Sequence, residues 1–566
     1  MDTNTIFSRK PWLAAYGPDT PEHLRYPETR LPELLASSSR DFPDHTALIF
    51  EGYRMSYRDL AGCVDRFAAW LHSEGFGKGD VAAIVLPNTI PSVIAFWAVL
   101  KAEGIVCMGN PLHTDRELAR QLNGAGAQTV ITLDLLAERI IRLRNRTGIT
   151  TIVHTSLGDY LPFPKKLLFP LVAGRKKLTA TVPRTEQVFS WKTVMNHPGR
   201  AATKPSLSPS DPAMYQYTGG TTGIPKGVIL THANLCAQVR QIEAWFPMFE
   251  NGKERMLGAL PLFHIFGLTV VMLYAVYKGW GNVLVPKPHA GALLKAIRKF
   301  RPSFAPLVPT MYISMLDHPQ FTGTDLTSLK GCFSGSASLP VSVIREFEKR
   351  TGALIVEGYG LTEASPVTHV NPFVAGGPKP GSVGVPVPDT EARIVDLKDG
   401  PSDMNAGEPG ELLVRGPQVM AGYRNMEEEN RAVLTHGWLH TGDVAVMDEE
   451  GYFFIIDRIK DLIVTGGQNV YPREVDEVLH EHPAVLDGCA AGVPHPVLGE
   501  VVKAFVVLRK GQVVTDQEIV AFCRERLAKY KVPVEVEFRK SLPRNLVGKV
   551  LRRELTKAGN TGEEDT

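Results

Sequence analysis

Short apolar runs of strand length alternate with helix-like stretches through the first two-thirds of this chain, and that alternation limits what it can fold into. "VAAIVLP" (81–87), "TVITL" (129–133), "GNVLVPKP" (281–288) and "ALIVEGYG" (353–360) are each too short to be helices. Their β-branched, unbroken apolar character fits strands covered on both faces, so the pattern predicts layered α/β structure with largely parallel sheets. After about residue 380 the texture changes to "TEARIVD", "GELLVRG" and "VAVMDEEGYFFIID", short alternating strands joined by Gly and Asp turns. These read as a small β-barrel or meander over about 380–458. From about 470 the chain returns to helix and strand with "PREVDEVLHEHP", "KAFVVLRK" and "DQEIVAFCRERLAKY". Pro472 suits a helix start and Asp516 a helix cap. The expected division is a large unit at 1–458 and a small α+β unit at 459–566, with the acidic tail "GNTGEEDT" disordered.

Within this frame, "YTGGTTGIPKG" (217–227) holds four glycines and three threonines in eleven residues. Glycine loses the most backbone freedom on folding, so this composition needs a compensating ligand. Backbone N–H groups, the hydroxyls of Thr218, Thr221 and Thr222, the backbone of Gly223 and the Lys226 ammonium together suit phosphate. A Walker loop is excluded. That loop needs Gly-Lys-Ser/Thr opening a helix, whereas Lys226 lies between Pro225 and Gly227 and the strand-like "VILTH" follows. A strand–loop–strand clamp is expected, with Thr231 capping the next helix.

Composition narrows the rest. A net charge of +2 gives no bulk attraction to nucleic acid. The six cysteines have no C-x-x-C spacing and read as reduced thiols, with no disulfide frame or zinc site. The N-terminus lacks a basic-then-apolar signal, and the apolar runs at 265–277 and 93–104 are of core-helix length. A cytoplasmic protein with no membrane span is expected. No G-x-S-x-G surrounds the serines of "SGSAS" (334–338), which argues against a hydrolase nucleophile. His436 and His440 have metal-ligand spacing but no third ligand in view.

Six motifs occur in order: "YTGGTTGIPKG", "PLFHIFG" (261–267), "EGYGLTE" (357–363), "GWLHTGD" (437–443), "DRIKDLIVTGGQNVYPREVD" (457–476) and "PRNLVGK" (543–549). Together they resemble the acyl-adenylate-forming superfamily of acyl-CoA synthetases, carrier-protein adenylation domains and luciferases, over nearly the whole chain. The resemblance implies ATP, Mg²⁺ and coenzyme A as partners of a carboxylic acid. The acid attacks the α-phosphate of ATP, pyrophosphate leaves, and the coenzyme A thiol then displaces AMP.

The resemblance also implies residue roles. Thr218 to Lys226 hold the phosphates that leave; Gly219 stands where serine is common, which removes one hydroxyl donor. Gly335, Ser336 and Ala337 wall the adenine, with Glu357, Gly358, Tyr359 and Gly360 beside it and Tyr359 stacking on the base. Thr362 donates to the α-phosphate, and Glu363 ligates Mg²⁺. Asp443 and Arg458 contact the ribose, although a plain ion pair is the simpler reading of those two. Lys549 bridges acyl carboxylate and α-phosphate, Lys460 is the hinge, and Gly466 and Gly467 let the pantetheine arm pass.

His264 resembles the gate between the ATP site and the acyl pocket. No aspartate lies in 262–267 to pair with an amino group, so a hydrophobic acid without one is expected. The stretch "YLPFPKKLLFPLVAGRKKL" (160–178) has five basic residues, no acidic residue and interleaved apolar ones. It resembles a basic-apolar insert of bacterial long-chain acyl-CoA ligases and suits peripheral contact with an anionic membrane face. Pro162, Pro164 and Pro170 speak instead for a solvated loop. Medium-to-long-chain fatty acids are the expected substrates. Aryl or alicyclic acids, the ATP-forming direction, a freestanding carrier-loading enzyme and a non-catalytic nucleotide sensor are the alternatives.

Overall fold

A computed structural model describes residues 6–199, 207–218, 225–374, 376–397, 402–544 and 549–557. Thr221, Thr222 and Gly223 of the glycine-rich loop, and the acidic tail, lie outside the described residues. Four sheets organise the described residues. The first has nine strands, with a parallel centre that includes Gly331–Ser334 and Leu354–Gly360, and antiparallel strands at its edges. The second has eight and is likewise parallel at its centre. The expected α/β layering is therefore present. Against the second sheet packs the helix Ile90–Lys101, buried all round from Ile90 to Leu100, Phe96 and Trp97 included. This is the core helix read from the run at 93–104.

The second apolar run, 265–277, is also buried, but it is wound more widely than expected. Gly267–Leu273 forms a π-helical stretch that continues into the α-helical turn Tyr274–Tyr277. Such windings concentrate at functional sites, and this one begins three residues after His264.

The third sheet is antiparallel and has five strands, drawn from Glu391 to Arg458. The fourth begins at Ile463 and packs the helices Pro472–Glu481 and Asp516–Arg524 around its own apolar cluster. Pro472 opens its helix as expected. Asp516 does not cap the next one: Thr515 accepts from Glu518 N at 3.2 Å while Glu518 reaches back to Thr515 N. The reciprocal Thr-x-x-Glu box satisfies two backbone donors where one aspartate satisfies fewer, so Asp516 falls in the first turn.

The insert at 160–178 is not an irregular loop. It forms the helix Lys165–Lys176, with Pro170 inside it. Proline costs that helix a backbone bond but leaves it continuous. All six cysteines are buried with free thiols. Among the described residues, no helix is long and apolar enough to cross a membrane.

Candidate active site

The strands Pro212–Thr218 and Lys226–Thr231 pair antiparallel, with Thr218 directly opposite Lys226. The residues flanking the glycine-rich segment thus pair across two strands, which sets a hydroxyl and an ammonium at opposite positions. Thr231 then caps the helix His232–Trp245, accepting from Asn234 N at 3.1 Å. A helix interior is unavailable to Lys226, which explains why the Walker arrangement is absent.

These strand ends open on a cavity of about 580 Å³ lined by residues of the first three sheets and by Lys460 and Lys549. Its wall includes Thr218, Lys226, His264, Gly335, Ser336, Gly358, Tyr359, Gly360, Thr362, Glu363, Arg458, Lys460 and Lys549. Residues hundreds of positions apart are gathered around one space.

The strand Leu354–Gly360 and the single helical turn Thr362–Ala364 deliver the "EGYGLTE" groups. Glycine is required here by close approach. A Cβ on Gly360 would lie 2.0 Å from the Pro366 carbonyl oxygen, and one on Gly358 2.9 Å from that of His369. Glu357 turns away from the cavity and is buried, where its Oε1 accepts from Leu339 N at 2.8 Å. Burial raises its carboxyl to about 7, against the lowering influence of that bond and of Arg473. Ala337 and Glu357 are therefore not part of the wall.

Tyr359 donates to Asp443 Oδ2 at 2.5 Å, and Arg458 Nε lies 2.8 Å from Asp443 Oδ1. Asp443 stands behind this wall, its side chain 4% exposed, and orients the two residues that face the space. His440 pairs with Glu411 at 2.9 Å. His264 also lines the cavity, and its Nδ1 accepts from Phe266 N at 3.3 Å. Burial lowers its imidazole to about 4, so near neutrality the ring is uncharged with its proton on Nε2. Phe266, Phe333 and Val367 continue this wall with apolar surface.

Lys549 enters from the last strand-to-helix connection of the chain. Burial, and then the neighbouring Arg458, push its ammonium below the ordinary lysine range. Arg552, three residues on, pairs with the buried Asp476 and fixes this segment to the small unit. Arg473 Nη2 reaches across to Ser338 Oγ at 3.1 Å. Lys460 lies in the turn Ile459–Asp461, between the third and fourth sheets. Gly466 and Gly467 form the tip of the hairpin Ile463–Thr465/Gln468–Val470, with φ of +56° and +81°, outside the cavity wall.

A wall residue the motifs miss is Tyr423. Its Oη donates to Glu363 Oε1 at 2.8 Å, and Lys226 Nζ lies 4.9 Å from its ring centroid. For a metal, no group of three or more His, Cys, Asp or Glu side chains exists among the described residues. Of the wall's carboxylates, Glu411 is paired with His440, and Glu363, held by Tyr423, fits a hard cation that keeps waters and takes its remaining oxygens from phosphates, as Mg²⁺ does.

Comparison with known proteins agrees with this geometry. Residues 35–424 match the AMP-binding enzyme family and 474–549 the AMP-binding enzyme C-terminal domain. The chain is 47% identical over 551 residues to a long-chain-fatty-acid–CoA ligase of Bacillus subtilis (strain 168), covering 97% of this chain and 98% of that one. It is 39% identical over 554 residues to the ligase of the same name from Escherichia coli O157:H7, with the same coverage. Among solved structures, ATP-bound MatB from Rhodopseudomonas palustris superposes with a TM-score of 0.81 at 27% identity, covering 94% of this chain and 99% of that one. A match to the AMP-binding family model over residues 35–424, with relatives matched over nearly their whole length, makes this chain a member of the AMP-binding enzymes.

Proposed function

We propose that the protein is an AMP-forming acyl-CoA synthetase acting on medium-to-long-chain fatty acids. It first joins acid and ATP as an acyl-adenylate with release of pyrophosphate, then passes the acyl group to coenzyme A with release of AMP. The observation that carries this reading is the convergence of Lys226, Thr362, Glu363 and Lys549 on one cavity whose other wall, around His264 and Phe266, is apolar. Phosphoryl chemistry asks for charge neutralisation and positioning, which three cationic or donor groups around one space supply. Lys226 and Thr218 receive the departing phosphates, and Thr362 donates to the α-phosphate. Lys549, on the same wall, draws the fatty carboxylate against that phosphate. Mg²⁺ held by Glu363 would neutralise further phosphate charge. Tyr359 offers its ring to adenine, while its hydroxyl is committed to Asp443.

The neutral His264 and the apolar surface beside it suit a substrate with no charged group besides its carboxylate. Names of the similar ligases support a fatty acid. Lys549 on the cavity wall, with Gly466 and Gly467 outside it, is the arrangement that adenylation requires. Rotation of residues 459–566 about Lys460 would exchange the two for thioester formation.

A panel of alkyl, aryl and alicyclic acids with ATP and either coenzyme A or a carrier-protein thiol tests this reading. Alkanoates of medium to long chain with coenzyme A are expected to give the highest kcat/KM. A best response to acetate, an aryl acid or the carrier thiol would replace the proposed substrate or acceptor, and absence of acid-dependent ATP–pyrophosphate exchange would remove the enzyme.

A specific observation supports peripheral membrane contact as a second element. On and beside the helix Lys165–Lys176, Phe163, Leu167 and Leu171 are 83%, 70% and 72% exposed, with Lys165, Lys166, Arg175 and Lys176 on the same helix. Apolar side chains left in water beside cations are the pattern of an interfacial helix on an anionic leaflet.

A further inference from the structure

Tyr423 belongs to no motif used above, yet it touches two of the groups on which the proposed chemistry depends. Its position is set by backbone pairing on both flanks. The short strand Gly422–Tyr423 joins the edge of the eight-stranded sheet, with Tyr423 opposite Val228 and Gly422 opposite Ile229. Ala421 N donates to Ile229 O at 3.1 Å and Arg424 N to Gly227 O at 2.8 Å, so the segment is zipped to the strand that carries Lys226. On the other side, Met420 N donates to the carbonyl of Glu363 at 2.8 Å. Asn430 clamps the residue itself, accepting from Tyr423 N at 2.6 Å and donating to Tyr423 O at 2.8 Å.

The side chain then makes two unlike contacts. Its ring face meets the Lys226 ammonium at 4.9 Å, within cation–π range. Its hydroxyl donates to Glu363 Oε1 at 2.8 Å. The residue is only 6% exposed, and a rigid ring with two torsions transmits position well.

We infer that Tyr423 is a positioning residue that sets the Lys226 cation and the Glu363 carboxylate at a fixed spacing, so that phosphate and metal are received as one unit. The inference rests on the roles proposed above for Lys226 and Glu363. A tyrosine that merely filled the core would need neither the hydroxyl contact nor the cation over its face. Carboxylates that bind metal are held by outer partners, whose loss costs metal affinity.

The two contacts can be removed separately. Equilibrium binding of ATP, followed by calorimetry in EDTA and at graded Mg²⁺, is measured for the parent protein, Tyr423→Phe, Tyr423→Leu, Glu363→Gln and the Tyr423→Phe/Glu363→Gln pair. Tyr423→Phe keeps the ring and loses the hydroxyl. It is expected to raise the Mg²⁺ concentration for half-maximal enhancement by about 10-fold, with ATP affinity in EDTA within about twofold of the parent. Tyr423→Leu, which loses the ring as well, should in addition weaken metal-free ATP by about 2–5-fold, the scale of a cation–π contact. In the Glu363→Gln background, Tyr423→Phe should change nothing further.

A Tyr423→Phe protein with parental melting and parental Mg²⁺ dependence overturns the inference. So does equal weakening of metal-free ATP by Phe and Leu. Where Tyr423→Leu does not fold, the Phe variant and its pairing with Glu363→Gln decide the matter. If the parent itself binds no ATP, the functional reading falls and takes this inference with it, an outcome distinct from a parent that binds and a variant that does not differ.

Discussion

Asp443 and Arg458 are direct cross-strand partners in the third sheet, and the guanidinium Nε lies 2.8 Å from the carboxylate. The pairing does two things at once. It neutralises a carboxylate that is 4% exposed, and it leaves the second oxygen to receive the Tyr359 hydroxyl. Asp443→Ala should therefore strand Arg458 and Tyr359 without their acceptor, costing about 1–3 kcal/mol of stability in urea titration. Tyr359→Phe should cost about 1 kcal/mol, and the double variant less than the sum. Strict additivity would mean that the three groups do not act together.

Lys549 allows the two half-reactions to be separated. Lys549→Ala should slow adenylate formation by about 10²–10³-fold, the scale of one lost electrostatic stabiliser. Thioester formation from supplied acyl-adenylate should survive. Lys460→Pro should do the converse, because proline fixes φ at the turn about which the small unit would swing. Single-turnover rates for each step decide it, and equal loss of both in Lys549→Ala counts against alternation.

Glu357 gives stability a pH dependence. Its folded carboxyl titrates near 7 against an ordinary value of 4.5, raised chiefly by burial. A raised carboxyl contributes stability that is complete below about 4.5 and is lost as pH rises to about 7. Glu357→Gln keeps an acceptor for Leu339 N without the charge. The variant should match the parent at pH 4 and exceed it at pH 8, by up to about 3 kcal/mol. Denaturation at both pH values checks this, and a constant difference would place the effect in packing.

The helix Lys165–Lys176 predicts a surface effect distinct from catalysis. Leu167→Asp with Leu171→Asp places charge on two side chains already 70% and 72% exposed, so folding should be unaffected. Co-sedimentation with anionic liposomes should fall several-fold, while turnover of a water-soluble short-chain acid holds. Unchanged sedimentation would leave the helix a solvated feature.

What the sequence made legible follows from how each contact is built. The hairpin carrying Thr218 and Lys226, and the strand-and-turn carrying Tyr359 to Glu363, are contiguous, so residue type and spacing announce them. Tyr423 reaches the same wall through strand pairing and an Asn430 clamp, and nothing in "MAGYRN" signals what lies across the ladder. Ala337 and Glu357 sit inside convincing motifs but do not line the cavity, and the Glu357 carboxylate is spent on Leu339 N, a contact across the fold that motif membership does not reveal. Asp516 and Pro170 show local rules overruled by neighbours. A better capping box one residue earlier displaced the first, and an otherwise helical segment tolerated the second.

The cavity is a joint. Lys226 belongs to one sheet, Glu363 follows the end of another, Arg458 ends a third, and Lys549 arrives with a segment that Arg552 ties to Asp476 beside the fourth. Each layer can keep its own ladder of hydrogen bonds while sliding slightly against the next, and chemistry that tolerates less than an ångström of error will register that slip first. On gentle heating, turnover should fail before ellipticity does, so that the enzyme reports the alignment of its layers at temperatures where each layer is still folded.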